Sequence, residues 1–145
     1  LGADIPVFIY GHAAWAEGIG ELLTPMELEE PWYLVIHPGC HVSTAKIFNA
    51  EDLTRNSFPI IMRGFIAEES INVCEVVACR YYPQIAEAIN WLNRFSPTRM
   101  TGTGACLFAK FETYSQADSI LQQLPDKWQG FIAKGMNISP THLQV

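Results

Sequence analysis

Asp4 stands in Leu1-Gly-Ala-Asp-Ile-Pro6, a carboxylate between a glycine bend and an apolar run. Such a residue is either a turn aspartate bonded to backbone amides or a general base at the mouth of a sheet. Farther on, Thr101-Gly-Thr-Gly-Ala-Cys106 sets two glycines ahead of an alternating apolar segment. Amides and hydroxyls in a turn of this kind can form an anion-binding nest for a phosphate, and its plainer reading is a β-turn. It is neither the dinucleotide fingerprint, which lies between a strand and a helix, nor a P-loop, which ends in Gly-Lys-Ser/Thr. His37, Cys40 and His41 crowd one turn and raise the question of zinc. They lack paired-knuckle spacing and a fourth partner, so no metal site is expected. Most of the aromatics (Trp15, Trp32, Tyr81, Tyr82, Trp91, Trp128) fall in periodic segments and are expected in the core, whereas Phe48 is less committed.

The elements that must position these residues follow from punctuation and period. Ile5–Ile9 and Ala13–Glu17 are short, apolar and bounded by glycines, which predicts two strands joined by a tight turn. Trp32–His37 alternates until Pro38-Gly39 and predicts a strand. Ser43 can cap a short helix through Phe48, and Asn49–Phe58 is polar enough for a surface connection. Glu68–Phe95 turns helical, with Ile85, Ala88, Ile89, Leu92 and Phe95 on one face and Pro83 dividing the run. Met100–Phe111 reads as a glycine turn feeding a strand whose one face holds Ala105, Leu107, Ala109 and Phe111. Ser115-Gln-Ala-Asp118 opens a helix striped by Ala117, Ile120, Leu121 and Leu124 and stopped by Pro125, before a last strand at Phe131–Lys134. Strands and helices do not alternate as parallel crossover units. The expected class is α+β, a mostly antiparallel sheet with helices on one face.

Composition narrows the functions available. A length of 145 residues predicts one domain able to bury a core without disulfides. Hydrophobic residues make up 49% and charged residues 17%, below the roughly 25% usual for globular chains, which excludes a disordered protein. A net charge of −6 with only 9 Lys and Arg argues against nucleic-acid binding. No apolar run approaches the roughly 18 residues that span a bilayer, so a soluble chain without a membrane partner is expected. Cys40, Cys74, Cys79 and Cys106 form no Cys-x-x-Cys pair and fit reduced thiols in a cytoplasm. The start at Leu1 has neither an initiator Met nor a signal-peptide layout, which leads us to expect a piece of a longer chain. Surface destined to be covered by a missing domain would also explain the low charge.

Four blocks occur in order: Leu1-Gly-Ala-Asp-Ile-Pro-Val-Phe8, Gly11-His-Ala-Ala-Trp-Ala-Glu-Gly18, Trp32-Tyr-Leu-Val-Ile-His-Pro-Gly39 and Thr101-Gly-Thr-Gly-Ala-Cys-Leu-Phe-Ala109. With Ala133-Lys-Gly-Met-Asn-Ile-Ser-Pro140 near the end, the sequence resembles the C-terminal half of cytidyl-substrate members of the GHMP kinase superfamily, from Leu1 to Leu143. The resemblance implies ATP-dependent phosphorylation, with Mg2+, of the 2-hydroxyl of a diphosphocytidyl methylerythritol in non-mevalonate isoprenoid synthesis. It makes Asp4 the catalytic aspartate that accepts the hydroxyl proton, in keeping with a reaction in which the protein mainly orients the nucleophile and stabilises charge. It places Thr103 and Gly104, with Gly102 beside them, in the motif that approaches the phosphates and supports the ATP loop. It places Thr44 and Phe48 in the wall of the cytidine pocket. It also implies that residues 1–16 are the last strands of the nucleotide-binding domain and residues 17–145 a ferredoxin-like C-terminal domain.

The family's glycine-rich, serine-containing ATP loop and its catalytic lysine motif do not occur in this sequence. The fragment alone is therefore expected to be inactive, its partners being a small cytidine diphosphate substrate and the missing N-terminal domain. The implied location is the cytoplasm of a bacterium, or the plastid if the source is a plant. The alternative from a different class is a free-standing ferredoxin-like module that binds a ligand or a protein, in which Asp4 and the 101–106 turn are only structural.

Overall fold

The computed structural model describes residues 2, 4–55 and 72–142, so the expected helix start at Glu68 and the end of the connection at Phe58 lie outside the described residues. The chain divides into two compact units, Leu1–Glu30 with Lys134–Val145, and Pro31–Ala133.

In the first unit, helix α1 (Ile5–Tyr10) has a proline in its first turn and Gly11 as its left-handed cap, φ 70°, whose N–H donates to the Val7 carbonyl at 3.0 Å. This corrects the expectation of a strand at Ile5–Ile9. A continuous apolar run has no period of its own to separate strand from helix, and the proline at its start and glycine at its end act here as helix punctuation. Strands β1 (Ala14–Glu17) and β2 (Leu22–Pro25) pair as an antiparallel hairpin, with Ala14 opposite Pro25 and Glu17 opposite Leu22. The first was expected and the second was not. The C-terminal segment folds back onto this unit. His12 bridges Ile138, the Ser139 N–H donates to Gly11 at 2.8 Å, and the Asn137 side chain both donates to and accepts from the Leu28 backbone at 2.8 Å.

The second unit contains β3 (Trp32–His37), α2 (Thr44–Phe48), α3 (Val73–Tyr81), α4 (Pro83–Leu92), β4 (Thr98–Met100), β5 (Leu107–Phe111), α5 (Tyr114–Leu121) and β6 (Gln129–Lys134), whose last residue falls to the first unit. The sheet order is β4-β5-β3-β6, with β5 antiparallel to both β3 and β4. Helical connections between β3 and β4 and between β5 and β6 complete the expected α+β, ferredoxin-like arrangement.

The alternation of the strands explains how the core is built. Leu34 and Ile36 of β3, Met100 of β4, and Leu107 and Ala109 of β5 are buried, and Ile85, Ala88 and Leu92 of α4 with Ala117 of α5 belong to the same cluster. Full burial of each large aliphatic side chain contributes about 1.5–3 kcal/mol, and the stripe expected for α4 supplies several of them. Pro83 separates α3 from α4 as expected, standing in the first turn of α4.

Several boundaries differ from the sequence reading. The helical run expected through Phe95 ends at Leu92, and Phe95, beyond the last helical turn, is exposed instead of lying on the buried stripe. Thr98–Met100 is a strand, unforeseen because three residues display no period. The helix after β5 starts with a capping box of Thr113 and Gln116, not at Ser115, and ends at Leu121, ahead of Pro125. The last strand opens at Gln129, two residues before Phe131. Among the described residues no helix is long and apolar enough to cross a membrane.

Candidate functional site

Helix α2 is short, so its position depends on its ends. Ser43 Oγ accepts the Lys46 N–H at 3.3 Å as the N-cap, and the Ser43 N–H donates to the Tyr82 hydroxyl at 3.1 Å, fixing the helix start to the break between α3 and α4. Ile47 is fully buried and anchors the helix to the core. Thr44 and Phe48 are exposed, and their spacing of four residues puts them along one side of the helix. Phe48 is 54% exposed, which removes it from the core and leaves a ring face open for stacking. At the far end, the Arg55 guanidinium donates to the carbonyls of Phe48 at 2.8 Å and Ala50 at 3.0 Å, so a cation meets the negative end of the helix. Lys46 Nζ lies 4.3 Å from the Tyr81 ring centroid and 5.4 Å from that of Tyr82.

The second component is the turn at 101–106 between β4 and β5. The Thr101 N–H donates to Cys106 at 2.9 Å, and the Gly104 N–H donates to Thr101 at 2.8 Å. Gly102 and Gly104 take φ of 48° and 97°, a backbone region that side chains disfavour. Thr103 is thereby carried toward α2, and its Oγ1 lies 3.1 Å from Thr44 Oγ1. Two residues singled out from distant parts of the sequence are thus brought into contact.

Asp4 is the N-cap of α1 in the other unit; it is exposed, and its side chain makes no capping bond. Its backbone carbonyl accepts the Phe8 N–H at 3.4 Å. The carboxylate therefore does not perform the amide-capping task that a turn aspartate would have at this helix start.

The crowded turn at His37, Cys40 and His41 is organised by the backbone. His37 Nδ1 accepts the Gly39 N–H at 3.2 Å, and burial pushes the Cys40 thiol up, which disfavours the thiolate a metal would require. Among the described residues no group of three or more His, Cys, Asp or Glu side chains is placed to hold a metal ion.

Several residues around the site escaped the sequence reading: Tyr82 and Arg55, which hold the two ends of α2, and Asn72 and Glu75, which bind the turn. The Asn72-x-x-Glu75 spacing ahead of an apolar run is a helix-start signature that could have found the last pair. No residue pattern marks the first pair, because both bond to backbone groups, Tyr82 to the Ser43 N–H and Arg55 to the carbonyls of Phe48 and Ala50. Together, two facing hydroxyls, an open aromatic face and a glycine turn can hold a ligand that combines an aromatic ring with polar groups.

Residues 62–130 match the family of GHMP kinases C terminal. This stretch is thus similar to a GHMP kinase C-terminal domain, and the fold is the one expected from the sequence. Proteins named 4-diphosphocytidyl-2-C-methyl-D-erythritol kinase resemble it along almost its whole length. That of Nitrosococcus oceani is 55% identical over 139 residues, 96% of this chain and 50% of that protein. That of Alkalilimnicola ehrlichii is 53% identical over 139 residues, 96% of this chain and 48% of that protein. A crystal structure of 4-(cytidine 5'-diphospho)-2C-methyl-D-erythritol kinase superposes with a TM-score of 0.73 at 25% identity, covering 93% of this chain and 54% of that one. The chain thus spans about half the length of the curated relatives it matches.

Proposed function

We propose that the full-length protein is an ATP-dependent kinase that phosphorylates the 2-hydroxyl of a diphosphocytidyl methylerythritol in isoprenoid synthesis, and that this chain is its C-terminal part. The observation that carries this reading is the contact of Thr44 with Thr103 beside the exposed Phe48, found in a chain whose relatives are named for that activity. In this reading Phe48 stacks on the cytosine ring, and Thr44 bonds the same nucleoside. Gly102, Thr103 and Gly104 approach the phosphates. Asp4 orients the substrate hydroxyl and accepts its proton as the phosphoryl group transfers.

ATP is the co-substrate, and Mg2+ would neutralise phosphate charge when bound; we assign it no ligand in this chain. The absent N-terminal half supplies the glycine-rich ATP cradle and the lysine. Residues 1–16 are assigned to that nucleotide-binding half and residues 17–145 to the C-terminal domain. The cytoplasm is the proposed location, and the proposed partners include neither nucleic acid nor membrane. The deciding experiment is a phosphorylation assay of the full-length protein with a cytidine diphosphate sugar alcohol and ATP. Transfer of the γ-phosphoryl group is expected, and its absence returns the chain to the free-standing binding module.

A further inference from the structure

We infer that the first turn of α3, through Asn72 and Glu75, is the device that positions the 101–106 turn; the inference rests on the reading of that turn given above and adds two residues that reading does not use. The Asn72 side chain serves two elements at once. Its Oδ1 accepts the Cys74 N–H at 3.0 Å as the N-cap of α3, while its Nδ2 donates to the carbonyls of Met100 at 2.9 Å and Gly102 at 2.7 Å. The NH2 group has two donors and meets two carbonyls, so the orientation of the amide is fixed by its partners. Glu75, three residues on, reaches the same segment, its Oε2 accepting the Met100 N–H at 2.9 Å. Both backbone groups of Met100 are therefore engaged by one turn of one helix.

Met100 ends β4, which lies at the edge of the sheet, where outward backbone groups need a partner. Gly102 has open space where a side chain would otherwise pack, since a Cβ built there would meet nothing within 4 Å. The bond from Asn72 to its carbonyl supplies a restraint there and carries Thr103 with it toward Thr44. A helix-start signature has here been diverted to a long-range task, since the Glu75 carboxylate bonds a strand end instead of closing a local capping box. Asn72 and Glu75 are positioning residues. Displacing a phosphate-binding turn by about 1 Å can cost on the order of a hundredfold in rate.

Asn72→Asp in the full-length protein separates the two tasks, because the carboxylate still caps α3 but opposes the Met100 and Gly102 carbonyls. The expected result is a fall in kcat of about tenfold or more, with KM for ATP within about threefold of wild type. Amide hydrogen exchange at Thr101 and Gly104 should quicken by about tenfold or more while Val77 and Ala78 in α3 keep their protection. Asn72→Ser, which caps but reaches only a short distance, should behave alike and covers the case in which the aspartate variant does not fold. Glu75→Gln keeps an acceptor for Met100 and should stay within about twofold of wild type. Unchanged kcat with unchanged exchange at Thr101 and Gly104 overturns the inference, as does joint loss of protection in α3 and the turn, which makes Asn72 a helix cap only. A wild-type protein that folds but transfers no phosphoryl group defeats the kinase reading instead, and the exchange measurement then decides the tether by itself.

Discussion

The hydroxyls of Thr44 and Thr103 lie 3.1 Å apart although 59 residues separate them in the chain. One stands on a short helix held by its caps, the other on a turn held by its glycines. The bond joins the proposed cytidine wall to the proposed phosphate turn. A neutral hydrogen bond of this kind contributes about 0.5–1.5 kcal/mol. Thr44→Val and Thr103→Val in the full-length protein should each weaken the cytidine substrate, and the double variant should lose less than the sum of the two. A double-mutant cycle on KM for that substrate measures the coupling, and strict additivity would show that the two hydroxyls act apart.

Asp4→Asn tests the proton acceptor. The carboxylate makes no capping bond, so the change leaves α1 and the folding stability nearly intact. Turnover of the full-length protein should fall by about two to four orders of magnitude, the usual range for a general base. Near-normal turnover in a folded Asn variant would return Asp4 to a structural role.

Phe48 and Ile47 are neighbours with opposite surroundings, 54% and 0% exposed. Phe48→Ala should weaken the cytidine substrate by about 1–3 kcal/mol, the range for base–aromatic stacking, spare ATP, and lower stability only slightly. Ile47→Ala should instead cost about 2–5 kcal/mol of stability through lost burial and a residual cavity. Urea unfolding beside the two Michaelis constants separates them. A Phe48→Ala protein as unstable as Ile47→Ala would remove Phe48 from the pocket.

The parts of the fold legible in the sequence are those whose pattern is longer than one period. Trp32–His37 alternates for its full length, and Ile85, Ala88, Ile89 and Leu92 span two helical turns, so strand and helix follow directly, whereas Phe95, the last residue of the expected stripe, lies past the helix end and is exposed. Ser43 was readable because a cap is a local contact. Ile5–Ile9 reads as a strand although it is helical, since so short an apolar run fits either period, and Thr98–Met100 shows no pattern of its own, since a three-residue strand is defined by its partner β5. The site divides in the same way. Its residue types were visible, whereas the Thr44–Thr103 contact and the bonds of Asn72 to Met100 and Gly102 are tertiary and have no local signature.

Gly102 and Gly104 stand two residues apart with positive φ for different reasons. At Gly104, φ 97°, an added Cβ would lie 3.0 Å from Met100 Sδ, 3.4 Å from Val42 Cγ2 and 3.5 Å from Ile85 Cδ1, inside the core that closes under the turn. Gly104→Ala should therefore combine backbone strain of about 1–3 kcal/mol with overpacking against a buried methionine. At Gly102, φ 48°, the added methyl meets nothing within 4 Å, and only the left-handed penalty of about 1–2 kcal/mol applies. Urea unfolding of the two full-length variants should rank Gly104→Ala as the less stable. Activity should rank them differently: the Gly102 methyl projects from the open side of the turn, where a phosphate would approach, so turnover should drop by more than its stability loss explains. A Gly104→Ala protein as stable as Gly102→Ala would refute the packing role of Gly104. A Gly102→Ala enzyme with normal turnover would place the phosphates elsewhere.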